Sequence, residues 1–365
     1  MWSEYCSICY LRVDNPVRRQ VLAPIAERIE KVIIPMKLIT RITLIASCLL
    51  IVIYSCSTDS KTAVAETTTN DTIFTPPDTN LIPHDEFGDM VRYGRDLIVN
   101  TAHYIGPEGT KGKYLGNKMN CTNCHMDAGT RPYGLNYFST HARYPQYRAR
   151  ENDILTLEQR INNCVERPHN GKALPLDSKE IRAMATYMRW VGQNVPVGRR
   201  VKGDDGVELK YPERAADPEK GKLVYEQHCM VCHGNDGQGQ MDPFNKTYVY
   251  PPLWGMDSYE AGSSMHRVLK MARFVKANMP NLKSSWQKPF LTDIEAIDVA
   301  AFVNDDRIHK RPVKQGKEGY PNIKNKPLDY DHGPYADPFT EEQHKFGPYQ
   351  SIIDYHKQHG LPVFF

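Results

Sequence analysis

Cys121-Thr122-Asn123-Cys124-His125 and Cys229-Met230-Val231-Cys232-His233 are two copies of one pattern, C-x-x-C-H. That spacing attaches a haem covalently: each cysteine sulfur bonds a vinyl group of the porphyrin, and the histidine that follows is held under the iron as a proximal ligand. Zinc sites also use C-x-x-C pairs, but the two knuckles of one zinc ribbon lie roughly 15–20 residues apart. Here a domain's worth of sequence separates the pairs, and each has its own histidine. The chain is therefore read as carrying two covalently attached haem c groups on Cys121, Cys124, Cys229 and Cys232, with His125 and His233 as axial iron ligands. Its business is moving electrons.

The composition bounds the remainder. The chain has 365 residues, 40% of them hydrophobic, and a net charge of +3. So balanced a charge does not suggest nucleic acid, and any recognition by charge must come from a local cluster. The negative mean hydropathy argues against a multi-span membrane protein. Of nine cysteines, four lie in the haem motifs and four (Cys6, Cys9, Cys48, Cys56) near the N-terminus, which leaves Cys164 alone in the body. Lys37 and Arg41 precede an apolar run from Ile42 to Tyr54, shorter than the ~20 residues of a membrane-spanning helix. With the small Ser55 before Cys56 they make a lipoprotein-type signal peptide over residues 36–56, with Cys56 as the lipidated residue. An uncleaved anchor would give nearly the same address. Residues 1–35 read as an upstream extension, with Met36 a plausible start, and residues 57–83 as a flexible tether. The expected location is the periplasm or cell envelope, with the membrane reached only through the N-terminal anchor.

The two halves share a plan. Glu86 to Ile98 and Pro218 to Glu226 have helical apolar spacing, and each leads toward a haem motif. A second helix closes each half; Asp177-x-x-Glu180 and Thr292-x-x-Glu295 resemble the capping boxes that start them. Helix, C-x-x-C-H, irregular loop, closing helix is the class I cytochrome c arrangement, and both halves resemble it. Gly94 and Gly221 suit a close crossing of first and last helices. The expected fold class is mainly α, two class I cytochrome c domains in tandem, at residues 84–195 and 213–310, joined by a linker at 196–212. Asn100 to Met119 is an insertion in the first. Residues 311–365, dense in proline, tyrosine and histidine and without helical period, read as an extended irregular tail wrapping the domains.

Each proximal histidine leaves one axial position. For the second haem, Met279, followed by Pro280 in the loop before the closing helix, stands where class I cytochromes place a thioether ligand, which raises the reduction potential. Met256, Met265 and Met271 compete. The first half has no such methionine. Cys164 precedes its closing helix by a short interval, among Arg160, Arg167 and Lys172, whose charges favour the thiolate. A thiolate ligand stabilises ferric iron and lowers the potential. His169 and Met184 are rivals for that position, and a buried inert thiol is the bland alternative.

At this point the chain resembles the thiosulfate dehydrogenase family of dihaem c-type cytochromes. The resemblance rests on Tyr93-Gly94-Arg95, Gly116-Asn117, Asn123-Cys124-His125, Tyr144-Pro145-x-Tyr147-x-x-Arg150, Arg160-Ile161-x-x-Cys164 and Asn170-Gly171-Lys172, across most of residues 84–350. It implies a catalytic first haem with histidine and cysteine ligands and a second, histidine/methionine haem that passes electrons on. It also implies Cys164 as axial and active cysteine, Arg150 and Arg160 as anion-binding residues, and Met279 as the second haem's distal ligand. Arg167, Lys172 and His169 are further substrate-binding candidates. Asn278 stands where some members have a lysine able to ligate, so ligand switching is not expected. Where the family commonly has C-F-x-R-S-x-N-G, this chain has Pro168 for the serine. The implied reaction couples two thiosulfates oxidatively to tetrathionate and hands the electrons to an external acceptor, another cytochrome. The same reaction reversed, a plain dihaem electron carrier, and a sulfur-carrier-binding subunit are the alternatives.

Overall fold

The computed structural model describes residues 72–314 and 318–365. The leader, Cys56 and most of the tether lie outside the described residues. The helices of six or more residues are α1 (Glu86–Val99), α2 (Leu157–Glu166), α3 (Lys179–Val191), α4 (Pro218–His228), α5 (Val268–Asn278), α6 (Asp293–Val303), α7 (Glu341–Phe346) and α8 (Tyr349–Gln358). Two small antiparallel hairpins supply the strands: β1 (Gln146–Arg148) with β2 (Asp153–Leu155), and β3 (Gln240–Met241) with β4 (Tyr248–Tyr250). In the first hairpin Arg148 stands opposite Asp153, so Arg150 and Glu151 occupy its turn. Mainly α, with two cytochrome c domains in tandem, is the observed class.

Each half is built on one helix crossing, α1 on α3 and α4 on α6. A Cβ added at Gly94 would stand 2.0 Å from the Ala183 carbonyl oxygen, and one at Gly221 would stand 2.0 Å from that of Asp298. Only glycine lets backbone approach backbone so closely. The crossings are sealed by Val91, Leu97, Tyr187 and Trp190 in the first half and by Tyr225, Ile297, Ala301 and Phe302 in the second. Tyr93 adds a hydrogen bond from its hydroxyl to Glu180 at 2.8 Å across the first crossing.

Helix ends follow local chemistry. Asp85 caps α1 by accepting from Gly88 N, Pro218 opens α4 behind the Asp217 cap, and Thr292 and Glu295 form a reciprocal box at α6. The α3 cap differs from expectation: Ser178, one residue after Asp177, accepts from Ile181 N. A serine hydroxyl at the residue adjoining the first turn is an equally good cap. A further box, Thr156 with Gln159, starts α2.

Two expectations are corrected. The end of the tether is packed, since Phe74 N donates to Lys202 O at 3.2 Å and its ring meets Phe138 at 5.0 Å. The tail is not wholly extended, because it holds α7 and α8, whose Ile352 and Ile353 form a small core with Leu328. Ion pairs bind it down. Arg267 meets buried Asp329, and Lys345 Nζ lies 2.8 Å from Asp306 and 2.6 Å from Asp331. His266, Asp306 and Asp331 converge there, but the Lys345 ammonium already supplies the cation. Among the described residues no helix is long and apolar enough to cross a membrane.

Gly221→Ala should cost about 1–3 kcal/mol by overpacking the α4–α6 crossing, read as a lower denaturant midpoint of the holoprotein; an unchanged midpoint would show that the crossing can open freely.

Candidate active site

The first haem motif hangs from its surroundings by backbone contacts. Cys121 N donates to Thr101 Oγ1 at 2.9 Å, and Asn120 N donates to Asn123 Oδ1 at 2.7 Å, which closes the turn. His125 Nδ1 faces the Leu135 carbonyl oxygen, and Tyr137 stacks on the ring at 4.7 Å between centroids. A nitrogen against a carbonyl must carry the proton, so Nε2 is left bare, the state iron ligation requires. Burial pushes the Cys121 thiol up to about 12 and the Cys124 thiol up to about 11. Such surroundings suit thioether bonds and oppose the thiolates that zinc would need.

Cys164 lies in the last turns of α2, near enough to His125 for the imidazole to bear on its thiol. Arg160, one turn earlier on the same face, donates from Nη1 to Cys164 Sγ at 3.0 Å. Burial alone would raise the Cys164 thiol; the Arg160 guanidinium, foremost, outweighs it and brings it down to about 6. The thiolate in turn holds the Arg160 guanidinium well above its ordinary value. The site thus offers an anionic sulfur opposite the proximal nitrogen, with a cation bonded to that sulfur. Met184, a rival ligand, is buried in the first core.

The other sequence candidates are spread around this pair. Arg167 ion-pairs with Glu151 at 2.9 Å, their side chains only 16% and 20% exposed, so neither belongs to a solvated face. Lys172 is exposed and lies over the Tyr114 ring at 5.8 Å. His169 is buried; its Nδ1 meets Asn117 Oδ1 at 3.1 Å and its Nε2 lies 3.7 Å from Cys121 Sγ, which places it beside the attachment edge. Burial, then the charge of His125, lowers His169 to about 4, so the ring is neutral. Arg150 has both terminal nitrogens on carbonyl oxygens, Gly262 O at 2.5 Å and Glu318 O at 2.9 Å. The sequence offers it as an anion-binding residue; here its guanidinium is pinned, with part of its donor set used.

The loop after Cys164 is held from the second half, from the tail and from the segment before the first haem motif. Arg167 O accepts from Glu260 N at 3.3 Å, and Gly171 O accepts from Lys314 Nζ at 2.6 Å. Asn117, fully buried, donates to Pro168 O at 3.1 Å and Ser258 O at 3.4 Å. Glu151, Asn117 and Tyr137 are residues that sequence reasoning did not single out for the site. Asn117 stands four residues before the motif, and that proximity, with its place in the Gly116-Asn117 pair that the family resemblance includes, was the available signal.

The second haem site is a cavity of about 390 Å³ lined by Cys229, Cys232, His233, Leu253, Met265, Met271, Met279 and Val299, among others. Its apolar lining and its sulfur and imidazole donors fit the porphyrin that the motif calls for. His233 Nδ1 lies 2.8 Å from Pro251 O, which again frees Nε2. Met256 is 71% exposed and does not line the cavity. Met271 Sδ already accepts from Asn304 Nδ2 at 3.3 Å. Met279 follows α5 directly and is unencumbered by such a bond. Asn278 is buried and donates to Phe274 O and to Tyr133 O of the first half, both at 3.0 Å. Thr122, Asn123 and Cys124 of the first motif also line this cavity, so the two attachment sites share a wall.

The SoxA/TsdA cytochrome c domain family matches residues 111–197, and the cytochrome c family matches residues 218–305. The chain is 37% identical over 243 residues to a thiosulfate dehydrogenase of Thiomonas intermedia (strain K12), covering 67% of this chain and 74% of the relative. It is 36% identical over 249 residues to a thiosulfate dehydrogenase of Allochromatium vinosum, covering 67% of this chain and 87% of the relative. The solved thiosulfate dehydrogenase (TsdBA) of Marichromatium purpuratum, in its as-isolated form, superposes with a TM-score of 0.62 at 31% identity, over 73% of this chain; the chain spans 54% of that protein.

Asn117→Ala should destabilise the holoprotein by about 1–3 kcal/mol, because it strands buried partners on His169, Pro168 and Ser258; equilibrium denaturation followed by Soret absorbance checks this, and a shift within error would discount the contact.

Proposed function

The chain belongs to the thiosulfate dehydrogenase family of dihaem cytochromes, an enzyme with two covalent haem c groups that oxidises thiosulfate, and from that premise we propose that it joins two thiosulfates into tetrathionate at Cys164. The observation that carries this reading is the bond of Arg160 to the Cys164 sulfur opposite His125. The two haems supply one-electron acceptance, one electron each. His125 and Cys164 would hold the first iron, His233 and Met279 the second.

Thiosulfate is a small dianion with a nucleophilic sulfane sulfur. Arg160 is the foremost candidate to receive its oxyanion, since guanidinium donors suit such groups. Arg150 would add positive charge for the oxyanion, while Arg167 shares its charge with Glu151. A bond forms between Cys164 Sγ and the sulfane sulfur of the first thiosulfate as two electrons leave, giving a Cys–S–S–SO3⁻ adduct. The second thiosulfate attacks the sulfane sulfur of that adduct. Tetrathionate departs and the Cys164 thiolate returns, so charge and sulfur balance. This is covalent catalysis by an activated thiolate. Holding both partners in one cleft removes much of the entropic cost of their meeting.

Held by Met279, the second haem would have a higher potential than a first haem held by the Cys164 thiolate, which would make transfer outward downhill. The shared wall at Cys124 supports a short path between the two sites. An external cytochrome takes the electrons. The basic-flanked leader ending at Cys56, together with covalent haem attachment, supports action in the cell envelope from a lipid anchor.

Cys164→Ala, purified with both haems, should lose thiosulfate oxidation by roughly a hundredfold or more and lose the thiolate-bound low-spin ferric signal in spin resonance. Near-normal turnover would remove the cysteine from the mechanism. Met279→Ala should lower the potential of the second haem in a redox titration while leaving that thiolate signal intact; an unchanged potential would exclude Met279 as its ligand.

A further inference from the structure

Arg150 is caged by segments from three parts of the chain. It sits in the β1–β2 turn of the first half. Its Nη1 donates to Gly262 O at 2.5 Å in the second half, and its Nη2 to Glu318 O at 2.9 Å in the tail. Two tail rings flank the guanidinium carbon, Tyr320 at 6.0 Å and Tyr330 at 5.6 Å. The backbones pair as well, Tyr320 N donating to Arg150 O at 2.9 Å. At Gly319, with φ +122°, an added Cβ would stand 2.6 Å from Arg150 Cγ. Glycine is what lets the tail pass so close to the arginine stem.

The tail segment is itself fixed. Asp329, next to Tyr330, accepts from Arg267 Nε at 2.8 Å and from the α5 backbone at Leu269 N and Lys270 N, at 3.0 and 3.3 Å. The cage is therefore anchored to α5, the helix that Met279 follows. The charge of Arg150 also bears on Arg167, and that of Arg167 on Cys164.

We propose that the tail segment Glu318–Tyr330 is a positioning element for thiosulfate binding: Tyr320, Tyr330 and the Glu318 carbonyl hold the Arg150 guanidinium in one pose, with its remaining N–H donors free for an oxyanion. The inference rests on the reading of Arg150 as an anion-binding residue. A long arginine stem ordinarily loses its rotamer freedom when a ligand arrives. Here that freedom is already lost on folding, so the substrate meets a preorganised cation. Tyr320 and Tyr330 act through Arg150 and touch no reacting atom.

The test is steady-state thiosulfate oxidation by holoproteins that retain both haem spectra. The double variant Tyr320→Leu/Tyr330→Leu should raise KM about three- to tenfold, the loss expected for two cation–π contacts, with kcat held within about twofold of the unaltered protein. Tyr320→Phe/Tyr330→Phe keeps both rings and should restore KM. Gly319→Ala, which crowds the tail off the arginine stem and removes no ring, should raise KM in the same direction. Arg150→Ala is the reference. If it raises KM while the leucine and Gly319→Ala variants leave it unchanged, the tail is not a positioning element and the anion-binding role of Arg150 stands. If Arg150→Ala itself leaves KM unchanged, both fall. A fall in kcat with unchanged KM, unrescued by the phenylalanines, would mark the tail as structural only.

Discussion

The contact between Arg160 and Cys164 sets the character of the molecule. A cysteine buried in a protein interior is ordinarily a neutral, inert thiol. One guanidinium donated into its sulfur, placed by the four-residue pitch of a single helix, turns it toward the anion. The same helix turn aims that anion at His125, whose free nitrogen is fixed from behind by a backbone carbonyl. Neither device works alone. On the proposed ligation, the sulfur without the arginine would be a poorer donor to ferric iron, and the imidazole without the carbonyl could present its protonated nitrogen to the metal.

The first haem site is braced from several parts of the chain. The loop that follows Cys164 is short, polar and rich in carbonyls that no helix satisfies. Glu260, Asn117 and Lys314 take up those at Arg167, Pro168 and Gly171. Asn117 also joins Pro168 to Ser258, and Asn278 joins the end of α5 to Tyr133. The two haem sites are thus registered against each other by buried amides, whose loss leaves unpaired groups in a low-dielectric interior. Pro168, which stands where a serine is common, sits inside this clamp. It gives up a hydroxyl and keeps a carbonyl that Asn117 uses.

What the sequence made legible was what lies close along the chain. The haem motifs, the Thr292 box, the two crossing glycines and the i, i+4 pair of Arg160 and Cys164 all have short-range signatures, because attachment, capping and helical pitch act over a few residues. That Met279 lines the second cavity was legible from its place before a closing helix. Arg150 and Asn117 were not legible in what they touch. Glu318 lies 168 positions from Arg150, and Ser258 lies 141 from Asn117, distances at which no period or spacing survives. The tail shows the same limit. Its prolines and tyrosines mask the short helices α7 and α8, which are held by tertiary ion pairs and not by strong helix propensity.

The proposed covalent route also has an electrostatic logic. Two unit charges about 4 Å apart repel by roughly 4 kcal/mol at an effective dielectric constant near 20, so two dianions sulfur to sulfur face about four times that. Bonding the first thiosulfate to Cys164 with loss of two electrons leaves an adduct of single negative charge. The second dianion then meets half the product of charges, and the cleft has to offset only the remainder. Arg160, released from the thiolate once its sulfur is spent in a disulfide-like bond, becomes available to the sulfonate at that moment. The cation that activates the sulfur is then the one positioned to receive the charge that replaces it.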